Sequence, residues 1–172
     1  MEIERKLYIT KNWVVAILLY YSAIFIFSAC KAVSLLIDLP SMLDNQLSYI
    51  FEASLTGSIS IALAASAIAY IRKLYKLCFV YASSQDGDDQ LQLKQLGTAF
   101  YFFTRPLFAV AFAILIVVGM RSGMVAASKE ITFDEGFVYV CMFFSFYAGF
   151  LSGEAIKNIE QYGKNKLNQV TR

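Results

Sequence analysis

The sequence predicts an all-α integral membrane protein, a bundle of four transmembrane helices that assembles as a homo-oligomer. Hydrophobic residues make up 58% of the 172 residues and charged residues only 16%, and the mean hydropathy is +0.56. A water-soluble chain of this size could not bury so much apolar surface, because its surface-to-volume ratio is too high. Four apolar runs each approach the roughly 20 residues that cross a bilayer as a helix, the form in which a segment satisfies its own backbone there.

Each run has its own composition. The first begins at Trp13 after a basic segment, the second is rich in Ala, Ser and Gly, the third carries Arg105 and Pro106 near its start, and the fourth ends at Gly153. Pro40 and nearby acidic residues predict a break after span one, and the polar stretch 83–90 predicts a loop. The predicted division is an N-terminal segment 1–12, spans at 13–37 and 53–71, a loop at 72–98, spans at 99–120 and 136–153, and a tail at 154–172.

Basic residues are distributed unevenly between the two sides of the predicted bundle. Twelve of the 15 Lys and Arg residues lie in the N-terminal segment, in or beside the 72–98 loop, or in the tail. The other side holds only Lys31, Arg121 and Lys129, among six acidic residues. The positive-inside rule therefore predicts that both termini are cytoplasmic. An even number of spans requires the same arrangement of the termini.

Small residues at four-residue spacing predict the helix contacts. In lipid, helices associate by close packing, so small side chains indicate contact faces. The stripes are Ser58, Ala62 and Ser66 in span two, Gly119 and Gly123 at the end of span three, and Ser145, Gly149 and Gly153 in span four. Contacts within one chain and contacts between copies explain these stripes equally well.

Nothing in the sequence predicts an enzyme, a metal site or a cofactor. The chain has no His and three isolated Cys residues, and it lacks a phosphate-binding glycine loop and a catalytic serine elbow. Residues 27–30 follow a basic start and an apolar run, as a lipoprotein cleavage site does. A helix end is the favoured interpretation, because three more spans follow, and lipidation of Cys30 stays open.

Charged residues near the membrane indicate candidate functional positions, since charge is costly there. Arg105 and Glu154 lie at the same predicted depth on consecutive spans, which predicts an ion pair at the inner mouth or a gate. A basic cluster close by either meets anionic lipid headgroups or binds an anionic ligand. That cluster consists of Arg72, Lys73, Lys76 and Lys94.

Aromatic residues give a further prediction. Most Tyr residues lie near span ends, where interfacial anchoring is the ordinary interpretation. Tyr20 and Tyr21 lie deeper, so they need a hydrogen-bond partner or a water-filled path. With Ser28, they are the candidate pore-lining residues. The N-terminal segment has an amphipathic face, which would either lie on the membrane surface or fold back into a pore.

The last two spans carry motifs of a known group. Arg105-Pro106-Leu107, followed by an apolar run to Ser122-Gly123, and the sequence Phe146-Tyr147-Ala148-Gly149-Phe150-Leu151-Ser152-Gly153-Glu154 are both present. They resemble small bacterial four-span proteins of defence loci, and the chain is similar to transmembrane effectors of Hailong-type anti-phage systems. The resemblance implies a homo-oligomeric channel in a bacterial inner membrane, closed until a nucleotidyltransferase makes an activating oligonucleotide.

The sequence therefore leads to two hypotheses. The first is a gated channel or pore-forming effector of bacterial defence, opened by a cytoplasmic anionic signal. The second is a non-conducting membrane anchor or immunity-type subunit that docks a soluble cytoplasmic partner through its basic face. A proton-coupled carrier is disfavoured, because no chain of acidic residues crosses the spans.

Overall fold

Four long helices form the described part of the chain, in a computed structural model. They are α1 (Lys11–Met42), α2 (Leu47–Val80), α3 (Asp88–Ala127) and α4 (Glu135–Val170). The structure describes these ranges, with side chains at 12–39, 49–76, 98–126, 135–154, 158, 161 and 162. Each helix contains a segment long and apolar enough to cross a membrane: Asn12–Leu39, Tyr49–Lys76, Thr98–Ala126 and Glu135–Glu154. The predicted all-α, four-helix membrane fold is confirmed.

The helices extend beyond the apolar runs. α2 continues to Val80, and α3 begins at Asp88, within the stretch that the sequence assigned to a loop. Leu, Lys and Gln dominate these extensions, and they are good helix formers. A helix nucleated in the membrane also propagates at little cost. α1 likewise continues two residues past Pro40, since a proline near a helix C-terminus removes only one backbone hydrogen bond.

α2 is the central helix of the bundle. It packs against the other three helices, whereas α1 packs mainly on α2, and α3 contacts both α2 and α4. α2 and α4 run parallel: Gly57 is next to Met142, Ala62 next to Gly149, and Gly153 next to the Tyr70 ring. An up-down order of four spans gives the second and fourth helices the same direction, so they become parallel neighbours here.

The contact between α2 and α4 depends on small side chains. Ser58, Ala62 and Ser66 of α2 and Ser145 of α4 are fully buried. A Cβ atom placed on Gly149 would lie 2.8 Å from both the Cα and the carbonyl carbon of Ala62. The missing side chain therefore allows the two backbones to approach directly, the close packing that membrane helices use.

The stripe at the end of α3 has a different environment. Cβ atoms placed on Gly119 and Gly123 would meet no atom of the described residues within 4 Å. These glycines have open space beside them in a single chain, although their spacing equals that of the α2 and α4 stripes. A contact between copies through this stripe stays a prediction.

A proline inside α3 explains how α1 is held. Pro106 has no backbone N–H, so the carbonyl of Phe102, four residues earlier, loses its helical partner. The buried Tyr21 hydroxyl of α1 donates a hydrogen bond to that carbonyl. Tyr21 and Phe102 belong to an apolar cluster of α1, α2 and α3 that also contains Ile17, Ala67, Tyr70 and Leu74. The sequence analysis predicted that Tyr21 needs a hydrogen-bond partner or a water-filled path, and the structure shows that the Phe102 carbonyl is its hydrogen-bond partner.

Candidate functional site: a basic cavity at the inner end

A cavity of about 620 Å³ opens between α2, α3 and α4 at the end of the bundle that the charge distribution predicts to be cytoplasmic. We call this end the inner end and the space the inner cavity. Its lining residues are Ala69, Tyr70, Arg72, Lys73, Lys76, Tyr101, Arg105, Phe150, Gly153 and Glu154. Three helices therefore contribute to one polar site.

Arg105 is the most deeply placed charge in this cavity. Only 9% of its surface is exposed, and its Nη1 atom has no hydrogen-bond partner in the part of the chain that the structure describes. Side chains on a helix lean toward its N-terminus, so Arg105 leans toward the inner end and Tyr101. Its Cζ atom lies 4.0 Å from the centroid of the Tyr101 ring. A buried guanidinium always carries its charge, and an unmatched donor on it is costly.

Tyr101 also holds a second cation. The Nζ atom of Lys73 donates a 2.6 Å hydrogen bond to the Tyr101 hydroxyl and lies 4.9 Å from the ring centroid. Lys73 and Arg105 therefore share one aromatic ring, whose electron-rich face attracts cations. This ring fixes both positive charges at the cavity wall, on two different helices.

The charges that line the inner cavity are unbalanced. Among the described residues, four cationic side chains, from Arg72, Lys73, Lys76 and Arg105, share the space with one carboxylate, from Glu154. Like charges repel one another more strongly in partly desolvated surroundings than in water. An anion in the cavity would reduce this repulsion and provide an acceptor for the unmatched Arg105 donor. An arrangement of this kind can bind a phosphate or carboxylate group.

Tyr70 connects the cavity to the α2–α4 contact. Its hydroxyl packs directly on Gly153 of α4, where a Cβ atom would collide with it. The same side chain lies close to those of Ser152 and Arg105. Ser152 donates a 2.9 Å hydrogen bond to the Gly149 carbonyl. The Tyr70 side chain thus connects Arg105 to the segment of α4 that packs closely on α2.

The structure brings together two groups of residues that the sequence predicted separately. Arg105 and Glu154, the candidate inner-mouth pair, line the same cavity as Arg72, Lys73 and Lys76 of the anionic-ligand cluster. An ion pair between Arg105 and Glu154 stays a prediction. The Lys94 side chain and the N-terminal segment 1–10 lie outside the described residues.

Tyr70 and Tyr101 are the site residues that the sequence analysis missed. Both lie near span ends, where interfacial anchoring explained them sufficiently. A weak signal exists, because Tyr101 precedes Arg105 by four residues and Tyr70 precedes Lys73 by three. Residues at these spacings are neighbours on a helix surface, which places each ring beside a cation.

The candidate pore-lining residues lie inside their own chain. Tyr21 and Ser28 are buried, and Tyr20 is half-buried against Phe103. The Ser28 hydroxyl donates to the carbonyl of Ile24 at 2.6 Å, within the same helix. Their role as lining residues of a pore stays a prediction.

The opposite end of the bundle differs in charge and burial. A smaller cavity of about 260 Å³ between α1 and α2 contains Lys31 together with Asp38 and Glu52, so its charges are mixed. Arg121 of α3 stacks on Phe51 at 4.4 Å but is exposed. No group of three or more metal-ligating side chains occurs among the described residues.

The architecture identifies the chain as a membrane protein, and the comparisons with known proteins add no family. No family model matches it, and neither a curated protein nor a solved structure matches it either. The inner cavity is therefore interpreted from its own geometry and charge. Four helices long and apolar enough to span a bilayer make the chain a multi-pass membrane protein.

Proposed function

We propose that the chain is the subunit of a gated membrane channel, a pore-forming effector of bacterial defence that opens when an anionic ligand binds on the cytoplasmic side. The observation that carries the proposal is the inner cavity, where the buried Arg105, whose Nη1 donor has no partner among the described residues, lies among three more cations. A ligand with several phosphates, such as the oligonucleotide implied by the resemblance of the last two spans, has the complementary charge.

The position of Arg105 in the chain supports a gating role. It directly precedes Pro106, where the α3 backbone lacks one helical hydrogen bond. The free carbonyl at this point is held by Tyr21 of α1. A ligand that binds Arg105 thus acts beside the proline of α3, within one helical turn of the carbonyl that is bonded to α1. Binding at the cavity and movement of α1 are coupled through these contacts.

The interior of one bundle supports an assembly of several copies. Large side chains fill it, including the fully buried Tyr21, Leu74, Phe102 and Val117. A conducting path therefore lies between copies of the chain, and the open stripe of Gly119 and Gly123 offers a face for their contact. A pore lined by Tyr21 and Ser28 requires α1 to move away from α2 and α3 on opening.

Ion flux from liposomes tests this proposal. Purified protein is reconstituted and exposed to a panel of short DNA and RNA oligonucleotides, and release of a trapped ion is recorded. We expect at least one oligonucleotide to induce flux, and Arg105→Gln to reduce its potency by about tenfold or more, the effect of losing a charged hydrogen bond.

Arg121→Gln is the matched control, since Arg121 lies on the same helix, stacks on an aromatic ring and is remote from the inner cavity. Its flux should equal that of the unmodified protein. Background flux with every oligonucleotide, from a sample that is monomeric by light scattering, would contradict the channel.

One observation favours the alternative of a non-conducting anchor or immunity-type subunit. α2 reaches Val80 and α4 reaches Val170, so both helices continue past their membrane spans. Such extensions offer a surface for a soluble cytoplasmic partner. A monomer without flux that binds a soluble partner, and loses it when α4 is shortened after Glu154, would establish this function.

A further inference from the structure

The inner cavity has a basic part and an apolar part at different depths. Arg72 and Lys76 lie toward the inner end of the α2 span, which ends at Lys76. Ala69 of α2 and Phe150 of α4 line the cavity about one helical turn farther into the spans. Phe150 is exposed and lies four residues before the end of the α4 span, so we expect its outer face to contact lipid. The cavity therefore joins a basic part to a surface that contacts lipid.

Arg105 lies in the inner part of the α3 span. It lies seven residues after Thr98, where the apolar span begins, which is about 10 Å along a helix. Because its side chain leans back over Tyr101, the guanidinium lies closer to the inner end than its own Cα atom. Basic pockets between membrane helices at this level bind the headgroups of anionic lipids.

We propose that the inner cavity binds the phosphate of an anionic phospholipid from the cytoplasmic leaflet, with Arg105 as the phosphate ligand and an acyl chain leaving beside Phe150. The described lining residues supply four cations and one carboxylate, so an anion in the cavity would lower the repulsion among the cations in the resting protein. The surrounding leaflet supplies one continuously, at high local concentration. The cavity, at about 620 Å³, also exceeds the space that a bare phosphate ion needs.

This inference deepens the proposed function and rests on it in one respect. The lipid occupies the site in the closed channel, and the soluble anionic ligand displaces it from Arg105. Because both ligands offer phosphate oxygens to the same guanidinium, they compete. Binding of the lipid itself does not require that the protein conducts ions.

Lipid binding is measured by native mass spectrometry on delipidated protein in a non-ionic detergent. Three probes separate the sources of phosphate: dioleoylphosphatidylglycerol, dioleoylphosphatidylcholine and sn-glycerol 3-phosphate. We expect phosphatidylglycerol to bind at least about tenfold more tightly than either of the others, because only it combines a net charge with acyl chains. Arg105→Gln should reduce this affinity by about tenfold, and Arg121→Gln should leave it unchanged.

A second pair of variants tests the apolar part. Phe150→Ala should weaken phosphatidylglycerol binding several-fold without changing the response to glycerol phosphate. Phe143→Ala, which alters an exposed ring two turns farther from the cavity, should have no effect on either probe. These variants keep the charges intact, so they report on the lipid even if Arg105→Gln fails to fold.

Four outcomes would overturn the lipid site. The first is equal affinity for phosphatidylglycerol and phosphatidylcholine. The second and third are normal phosphatidylglycerol binding by Arg105→Gln and by Phe150→Ala. The fourth is glycerol phosphate binding as tightly as phosphatidylglycerol, which would assign the cavity to soluble phosphates and leave the channel proposal in place. Failure of the channel proposal is detected separately, as absent flux.

Discussion

α1 and α2 have membrane spans of equal length, 28 residues each, but they have opposite positions in the bundle. α1 is the more apolar helix, yet 17% of its most apolar stretch is buried, against 56% for α2. In water the more apolar helix would be the more buried one. In lipid, apolar side chains gain little by leaving the solvent, so close packing decides which helix is central.

The two helices accordingly use different contacts. α2 meets α4 through Ser, Ala and Gly, and their backbones come so close that Gly149 has no room for a side chain. α1 is held by larger side chains and by the hydrogen bond from Tyr21 to the Phe102 carbonyl. The stability of the α2–α4 contact should therefore depend on small side chains, and the stability of the α1 contact on the Tyr21 hydrogen bond.

The largest effect is expected at Gly149. Gly149→Ala places a Cβ atom 2.8 Å from two backbone atoms of Ala62, which cannot move aside as a flexible side chain would. The two helices must separate, and we expect a loss of about 3 kcal/mol or more in unfolding free energy. Unfolding in mixed detergent and sodium dodecyl sulfate, followed by circular dichroism, measures it.

Gly119→Ala is the control for this prediction. Among the described residues its Cβ atom would meet nothing within 4 Å. In a sample that is monomeric by light scattering, where no contact between copies contributes, the variant should gain about 0.5–1 kcal/mol from the higher helix propensity of Ala. If the two glycine variants unfold alike, close packing does not decide the position of α2.

Tyr21→Phe should have an intermediate effect. It removes the hydroxyl that bonds the Phe102 carbonyl and leaves this buried acceptor without a partner, at a cost of about 1–3 kcal/mol. Pro106→Ala in the same chain restores a backbone N–H four residues after Phe102. The double variant should recover most of the loss, and a double-mutant cycle in the same unfolding assay measures the coupling.

The cycle has a clear negative outcome. Additive losses from Tyr21→Phe and Pro106→Ala would show that the free carbonyl and the hydroxyl act independently. Tyr20→Phe provides a comparison on the same helix, because Tyr20 makes ring contacts with Phe103 and Tyr21. Its loss should be smaller than that of Tyr21→Phe.

The sequence predicts the number and type of helices, because hydropathy and span length depend on composition alone. It also places Arg105, Glu154 and the Arg72 cluster at one end, since depth follows from position in each span. It does not predict which helices are neighbours. Gly119 and Gly149 occur in equivalent patterns, yet one lies beside open space and the other against a backbone.

The aromatic part of the site was harder to predict than its charges. Tyr101 near a span end fits interfacial anchoring as well as it fits cation binding, and only the approach of Lys73 from another helix separates the two. The partner of Tyr21 was equally hidden. Pro106 indicates that the Phe102 carbonyl lacks its helical partner, but the sequence does not predict that α1 packs beside this carbonyl.

The smallest effects are expected at the buried serines of the α2–α4 contact. The hydroxyls of Ser58, Ser66 and Ser145 are buried without a hydrogen-bond partner among the described residues. Ser58→Ala therefore removes a desolvated polar group and keeps the small size, so its unfolding free energy should stay within about 0.5 kcal/mol or rise. A loss above about 1 kcal/mol would show that the hydroxyl has a partner and that polar bonds, as well as size, hold α2 to α4. Ser58→Val separates the two causes, because it removes the hydroxyl and adds volume. If Ser58→Val loses much unfolding free energy and Ser58→Ala loses none, small side-chain size is the property that makes α2 central.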